Sequence, residues 1–226
     1  SGKTTLLYSL LNELNTPQRN IITLEDPVEF QVANLRQLQV NEANGFTFAK
    51  AIKAAVRQDP DVIMLGEIRD SETAQIAFQA ALTGSLVFST FHTFDVSGLI
   101  IRLIEMGVPR SVVAHALTGV MSTRLVRKIC TACVEPYEPT AEELAALGTG
   151  YKAEPLFHGK GCVECHERGY SGRIGIFEVV RFDDDIRTAI IETLPTVELR
   201  KVLSARITRT LREAAVAKVL QGVTSA

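Results

Sequence analysis

The sequence predicts an α/β fold in which helices flank a parallel β-sheet, and three observations favour it. Short apolar runs suited to buried strands recur at residues 20–24, 61–65 and 86–89. Stretches with the apolar spacing of helices separate these runs. Apolar residues make up 46% of the 226 residues, which is enough for a sizeable core. Strands that alternate with helices pair in parallel, so we expect this arrangement to continue to about Ile129.

The elements of this first part are predicted in chain order. Residues 4–14 have helical apolar spacing, and the strand at 20–24 follows. Residues 28–40 alternate in polarity around Ala33-Asn34, which predicts a hairpin or two edge strands. Four further helices are predicted at 47–57 with Thr47 as the N-cap, at 71–82 closed by Gly84, at 97–106 and at 112–127.

The composition changes after Ile129, and this change predicts the domain division. We expect a core at 1–129, a four-cysteine insert at 130–172, and a C-terminal strand and helical region at 173–226. The insert is rich in Gly and Pro, and Thr140 and Glu143 have the spacing of a helix capping box. Residues 173–182 predict a strand, and 185–220 predict a helical tail.

The charge and the apolar patterning exclude two classes of protein. The formal net charge is −2, with no basic stripe carrying interleaved aromatic residues, so we predict no nucleic-acid partner. No run of 18 apolar residues occurs, so no transmembrane helix is expected.

A phosphate-binding motif stands at the start of the chain. Gly2-Lys3-Thr4 matches the last three positions of G-x-x-x-x-G-K-[ST], with Ser1 before them and Thr5 after them. In this motif backbone N–H groups cradle phosphates, Lys neutralises their charge and the hydroxyl binds Mg²⁺. An accidental helix start is the alternative. The first glycine of the motif would precede Ser1, so we expect the chain to begin inside the phosphate loop of a longer protein.

Polar side chains follow three of the predicted strands. Glu25 and Asp26 end the first, Glu67 follows D-V-I-M-L-G in the manner of a Walker B strand, and His92 follows the third. The carboxyl ends of parallel strands meet at one edge of a sheet, where ligands bind. Taken singly, these groups could be solvated acids, a proline turn or a structural histidine. Together with Lys3 they predict a P-loop NTPase of RecA-like fold that uses ATP and Mg²⁺.

Four cysteines form two pairs of metal-ligand spacing. Cys130-x-x-Cys133 and Cys162-x-x-Cys165 can supply four thiolates to one ion, the arrangement of structural Zn²⁺. Two disulfides or free buried thiols are the alternatives, and the nearby histidines 158 and 166 could replace a thiolate. Disulfides fit poorly with an ATP-dependent protein of a reducing compartment.

Long stretches of the sequence resemble a known family. IITLEDPVEFQ, GFTFAKAIKAAVRQDPDVIMLGEIRDSETAQIAFQAALTG and GYSGRIGIFEVV, together with the cysteine pairs, are similar to the secretion ATPase superfamily. Within it they resemble the ATPases of type IV pilus assembly and type II secretion. The four-cysteine module is typical of assembly and secretion motors, whereas retraction motors lack it.

The resemblance implies a function and a set of site residues. It implies a homo-hexamer with nucleotide at subunit interfaces, cytoplasmic and peripheral to the inner membrane, that acts on an inner-membrane platform protein. The implied catalytic residues are Glu25, Glu67 and His92. The implied nucleotide- and Mg²⁺-binding residues are Ser1, Gly2, Lys3, Thr4, Thr5, Asp26, Arg57 and Arg69, of which the two arginines contact phosphate or a neighbouring subunit.

The sequence also departs from the family pattern. Ser85 and Phe94 stand where the family has histidine and asparagine, Lys53 replaces a frequent arginine, and Ala215-Val216 replaces Asp-Gly. The changes at Ser85 and Phe94 favour, as an alternative function, a nucleotide-binding scaffold that does not hydrolyse ATP. A zinc-ribbon protein that binds nucleic acid is a third hypothesis, which the net charge opposes.

Overall fold

The chain is described here from a computed structural model, which covers residues 2–93, 95–148 and 155–226. The described residues form two compact units. The first, called the sheet unit, contains Lys3–Val120 and Val180–Arg206. The second, called the cysteine unit, contains Gly2 and the described residues of Met121–Val179 and Ile207–Ala226. The limits of these units differ from residues 129 and 172, where the sequence predicts the domain boundaries, and that domain division stays a prediction.

The first half of the chain contains short strands interspersed with helices. In order they are α1 (Lys3–Leu14), β1 (Ile21–Glu25), β2 (Arg36–Gln39), α2 (Phe48–Ala55), β3 (Val62–Leu65), α3 (Ser71–Leu82), β4 (Leu86–Ser89), α4 (Val96–Glu105) and α5 (Arg110–Ala116). The second half contains β5 (Gly119–Ile129), β6 (Val134–Tyr137), α6 (Ala141–Leu147), β7 (Leu156–Gly159), β8 (Tyr170–Arg181), α7 (Asp184–Ile191), α8 (Thr196–Ser204) and α9 (Leu211–Leu220).

The first four strands form one sheet in the order β2-β1-β3-β4. All three strand pairs are parallel, with Leu24 beside Leu38 on one side and beside Leu65 on the other. The α/β fold with a parallel sheet is therefore confirmed. The carboxyl ends of these strands lie at one edge, and the polar residues that follow them are brought to that edge.

Helix α1 packs on one face of this sheet through its apolar positions. Leu7 and Leu11, four residues apart, contact a cluster that includes Ile21, Val62 and Met64. Side chains alternate between the faces of a strand, so Thr23 and Glu25 lie on the same face as Ile21. The orientation of α1 on the sheet thus determines what lies beside Glu25.

Two predicted elements are wrong. Residues 28–35 contain no strand, and β2 is a single edge strand parallel to β1 instead of part of a hairpin. The helix predicted at 112–127 ends at Ala116, and β5 begins at Gly119. Leu117 has extended backbone angles, and β5 pairs with β8, so strand pairing overrides the helical apolar spacing of this segment.

The cysteine unit contains an antiparallel pair of strands and short helices. β6 pairs with β7, with Glu135 opposite His158. Helix α6 begins at the predicted capping box, in which Thr140 and Glu143 exchange side-chain and backbone hydrogen bonds. Among the described residues, no helix has the length and apolar character needed to cross a membrane.

Candidate functional site

Lys3 lies at the first turn of α1 and reaches the segment after β4. Its Nζ atom donates to the carbonyl oxygen of Phe91 at 3.3 Å and lies 3.2 Å from Nδ1 of His92, a contact that a neutral imidazole accepts. The first turn of a helix offers unpaired N–H groups and partial positive charge, which favour anions. A cation and a helix N-terminus thus meet at the carboxyl edge of the sheet.

Glu67 follows β3 and joins this cluster. Its Oε1 atom accepts a hydrogen bond from Arg69, and its Oε2 atom lies 3.7 Å from Nε2 of His92. The hydrogen bond from Arg69 is the largest influence that lowers the pKa of Glu67, with smaller contributions from the charges of Arg69, His92 and Lys3, while burial opposes it. The structure therefore brings Lys3, Glu67, His92 and Arg69 together, with an ionised carboxylate beside two cationic side chains and an imidazole.

Glu25, the last residue of β1, is buried, with 2% of its surface exposed. Its Oε2 atom accepts the Tyr8 hydroxyl at 2.5 Å. Its Oε1 atom accepts the Thr23 hydroxyl at 2.5 Å and the Gln37 amide at 3.2 Å. The pKa of Tyr8 is raised to about 12, chiefly by burial and further by the hydrogen bond to Glu25 and the charge of Glu25. Glu25 is thus a hydrogen-bonded interior carboxylate in this structure.

The other predicted site residues do not all lie at the same edge of the sheet. Lys3, Glu67, His92 and Arg69 are called the strand-end cluster below. Asp26, Thr4 and Thr5 are exposed near it, and the charge of Asp26 acts on Arg69. Arg57 precedes β3, in a turn whose Gln58 carbonyl accepts from Asn20, so it lies at the amino edge of the sheet, opposite the other site residues. Gly2 has a φ of 84°, a conformation that favours glycine. Ser1 lies outside the described residues.

Two of the departures from the family pattern have structural counterparts. The Ser85 hydroxyl donates to the carbonyl oxygen of Pro60 at 3.0 Å, which ties the start of β4 to the residues before β3. Lys53 forms a surface ion pair with Glu72. Phe94 lies outside the described residues. In this structure the ammonium group of Lys53 therefore pairs with a carboxylate of its own chain.

The four cysteines form one cluster of metal-binding dimensions. Their sulfur atoms all lie within 4.8 Å of one another, and three of the Sγ–Sγ distances are 3.8–3.9 Å. Four thiolates at about 2.3 Å from one Zn²⁺ ion in a tetrahedron would stand about 3.8 Å apart. A disulfide needs about 2.05 Å, and all four cysteines are free. The four cysteines therefore fit a closed four-thiolate metal site. The sulfur–sulfur distances do not fit disulfide bonds.

Two buried thiols of this cluster differ in pKa. Burial raises the pKa of Cys133 to about 12 and also acts to raise that of Cys165. At Cys165, however, the hydrogen bonds from the backbone N–H groups of Cys162 and Gly169, together with those from the Cys162 and Cys133 thiols, outweigh burial and lower the pKa to about 7. His158 lies beside Glu135 at 3.4 Å, and neither histidine belongs to the group of possible ligands found among the described residues. The four thiols suffice for the site.

Tyr8 and Gln37 were not among the predicted site residues. Tyr8 has 6% of its surface exposed and follows Leu7 on the buried face of α1, so the sequence pattern assigns it to the core. A buried tyrosine hydroxyl normally has a hydrogen-bond partner, which is the signal that would have indicated a polar group beneath α1.

Comparison with known proteins gives a consistent assignment. The model of the family described as type II/IV secretion system protein matches residues 1–226. The type II secretion system protein E of Pseudomonas aeruginosa is 47% identical over 227 residues, which cover 100% of this chain and 45% of that protein. The type IV pilus assembly ATPase PilB of Thermus thermophilus is 45% identical, with 100% of this chain and 26% of that protein covered. The chain thus spans less than half the length of these relatives.

Solved structures of similar fold include a pilus retraction motor and an ATPase. The pilus retraction motor PilT, solved with bound ADP, matches with a TM-score of 0.68 and 30% identity, covering 100% of this chain and 56% of that one. The ATPase DotB of Legionella pneumophila matches with a TM-score of 0.67 and 25% identity, covering 99% and 55%. The similarity therefore extends over both units of the chain.

Proposed function

The chain belongs to the type II/IV secretion system protein family, and we propose that it is the ATP-hydrolysing motor portion of a longer protein that powers type IV pilus assembly or type II secretion. The observation that carries this proposal is the strand-end cluster. Lys3 lies within 3.2 Å of His92, and His92 within 3.7 Å of Glu67, at the N-terminus of a twelve-residue helix. This arrangement suits a polyphosphate bound together with a divalent cation.

Residues at this edge of the sheet unit have distinct roles in the proposed reaction. Lys3 neutralises the β- and γ-phosphate oxygens, and Thr4 with Glu67 would hold Mg²⁺, which supplies charge neutralisation during phosphoryl transfer. His92 senses the γ-phosphate, and Glu25 orients the attacking water. Water attacks the γ-phosphorus in line with the departing ADP, giving ADP and inorganic phosphate. Gly2 and Thr5 belong to the phosphate-binding loop and the helix start that follows it. Asp26 adds a carboxylate at the same edge of the sheet.

The assembly is part of the same proposal. The motor acts as a homo-hexamer with nucleotide at the subunit interfaces, in the cytoplasm and peripheral to the inner membrane, on an inner-membrane platform protein. The position of Arg57 at the amino edge of the sheet favours contact with a neighbouring subunit over contact with phosphate bound to its own chain. Zn²⁺ held by the four cysteines has a structural role, since a four-thiolate site has no open position.

The decisive test is steady-state phosphate release by the full-length protein. We expect Lys3→Ala and Glu67→Gln each to reduce release by at least about 100-fold, because each removes charge stabilisation that operates in the transition state. The matched controls are Lys201→Ala and Glu198→Gln, which remove the two partners of a surface ion pair on α8. The controls are expected to match the wild-type rate, and undiminished release from Lys3→Ala and Glu67→Gln would refute the assignment.

The scaffold alternative rests on one structural observation. Ser85 stands where the family has a histidine. Its hydroxyl donates a hydrogen bond to the Pro60 carbonyl oxygen, and the imidazole of the family histidine is lost at this position. A scaffold subunit would bind ATP without releasing phosphate. Equilibrium ATP binding measured beside steady-state release distinguishes the two functions, since binding with no release favours the scaffold.

A further inference from the structure

In the proposed function, Glu25 orients the attacking water. In this structure, however, its carboxylate faces the interior of the sheet unit. Three donors use it: the hydroxyls of Tyr8 and Thr23 and the amide of Gln37. An ionised carboxylate offers about four acceptor positions, so most of its capacity is already used. With 2% of its surface exposed, Glu25 has no access to bulk water in this conformation.

Tyr8 is the donor that connects Glu25 to the phosphate-binding helix. It lies five residues after Lys3 on α1, and its hydroxyl is 2.5 Å from Oε2 of Glu25. Among the described residues, Tyr8 is the one hydrogen-bond donor to Oε2, whereas Oε1 accepts from both Thr23 and Gln37. Loss of the phenol would therefore free one carboxylate oxygen while the other stays held.

The environment of the Tyr8 hydroxyl offers it other partners. It lies 3.3 Å from the carbonyl oxygen of Phe30 and accepts from the Gln37 amide at 3.1 Å. The Tyr8 and Phe30 rings also contact each other, with centroids 4.3 Å apart, and Phe30 is half-exposed. Because the Phe30 carbonyl is a second acceptor within reach, the phenol can leave Glu25 without losing its hydrogen bond.

We propose that Tyr8 is a positioning residue for ATP hydrolysis, which holds the Glu25 carboxylate inward until its hydroxyl transfers to the Phe30 carbonyl and leaves Oε2 free to accept a hydrogen bond from water. This inference rests on the proposed function, because it concerns the same reaction. Tyr8 contacts neither phosphate nor water in it; it acts through Glu25. This change of hydrogen-bond partner by the Tyr8 hydroxyl would make the attack on the γ-phosphate a step distinct from nucleotide binding.

The test compares Tyr8→Phe with the wild type in the full-length protein. The phenylalanine ring keeps the contacts of the Tyr8 ring and removes only the hydroxyl. We expect kcat for phosphate release to rise about 3- to 10-fold, as expected from loss of one hydrogen bond of ordinary strength. The KM for ATP should stay within about twofold, since the phosphate-binding residues are untouched. An unchanged or lower kcat, or a change confined to KM, overturns the inference.

A second background separates positioning from a general effect on folding. Under single-turnover conditions, Tyr8→Phe should have no effect when Glu25 is already Gln, because the carboxylate on which Tyr8 acts is absent. The same fold-change in both backgrounds would show that Tyr8 acts independently of Glu25 and would overturn the inference.

The matched control is Tyr137→Phe in the cysteine unit. The Tyr137 hydroxyl also donates to a carboxylate, that of Glu143, at 2.8 Å, and its pKa is likewise raised to about 12, chiefly by burial. Its removal should leave kcat unchanged. A wild-type protein that releases no phosphate would refute the proposed function itself, whereas an active wild type matched by Tyr8→Phe would refute only the role of Tyr8.

Discussion

At the scale of single residues, the Glu67–Arg69 contact makes acid stability a test of the site. The hydrogen bond from Arg69 is the main cause that holds the pKa of Glu67 below 4.5, so folding favours its ionised form. That contribution is present at pH values above about 4.5 and is lost as the pH falls through the lower folded-state pKa. Removing Arg69 should therefore make stability less dependent on pH in the acid range.

The prediction concerns Arg69→Met. Acidification from about pH 6 to about pH 4 should reduce the free energy of unfolding less in this variant than in the wild type. We expect the difference between the two proteins to be about a few tenths of a kcal/mol, because the Glu67–Arg69 pair is partly exposed to solvent. Urea unfolding at the two pH values measures it. Arg57→Met is the control, since Arg57 is also an exposed arginine but lies at the opposite edge of the sheet. Identical acid dependence in wild type and Arg69→Met would contradict the prediction.

Residue types and their place after strands were sufficient to predict the meeting of Lys3, Glu67 and His92. The burial of Glu25 was not predictable in the same way, because it depends on β1 extending to Glu25 itself. Side chains alternate along a strand, so one more strand residue directs Glu25 to the face covered by α1. Its partners Tyr8 and Gln37 come from two other elements, and only the packed structure identifies them.

At the scale of elements, the start of α3 fixes the chain that follows Glu67. Asp70 is the N-cap, and its carboxylate accepts from the Thr73 backbone N–H at 2.8 Å and from the Thr73 hydroxyl at 2.7 Å. We expect Asp70→Ala to lower the free energy of unfolding by about 1 kcal/mol, through loss of the cap. Thermal or urea unfolding measures the change.

The control for this prediction is Asp70→Asn, whose side-chain oxygen can still accept from Thr73. It should retain most of the stability that Asp70→Ala loses. Equal losses in the two variants would indicate that charge, and not the cap hydrogen bond, is what Asp70 supplies.

Caps and apolar spacing explain why α2 and α3 were predicted close to their observed bounds and why the start of α6 was predicted. Each begins at a side chain that accepts from the backbone, at Thr47, Asp70 and Thr140. The segment after Ala116 has no such local signal. An added side chain at Gly119 would lie 3.3 Å from the Val180 carbonyl, so close strand pairing there depends on residues about 60 positions away in the sequence. Local propensity cannot report a pairing of that kind.

At the scale of the whole molecule, the cysteine cluster predicts that the metal contributes to stability. We expect about one Zn²⁺ per chain in reduced, purified protein and a lower melting temperature after chelation, because the ion binds the folded form. Cys130→Ser should lose most of the zinc. His158→Ala should keep it, since the four sulfur atoms already lie within 4.8 Å of one another. Less than about half a zinc per chain in the wild type would contradict the prediction.

The route of the chain between the units has a practical consequence for protein engineering. Within the sheet unit, Phe182 donates its backbone N–H to the Thr118 carbonyl at 3.0 Å, so the chain leaves and re-enters this unit at neighbouring positions. No single truncation can therefore yield the sheet unit, because its sequence is interrupted by residues 121–179. A short turn that joins Val120 to Val180 would restore one continuous polypeptide, and Lys3, Glu67 and His92 would all be retained in the shortened gene product.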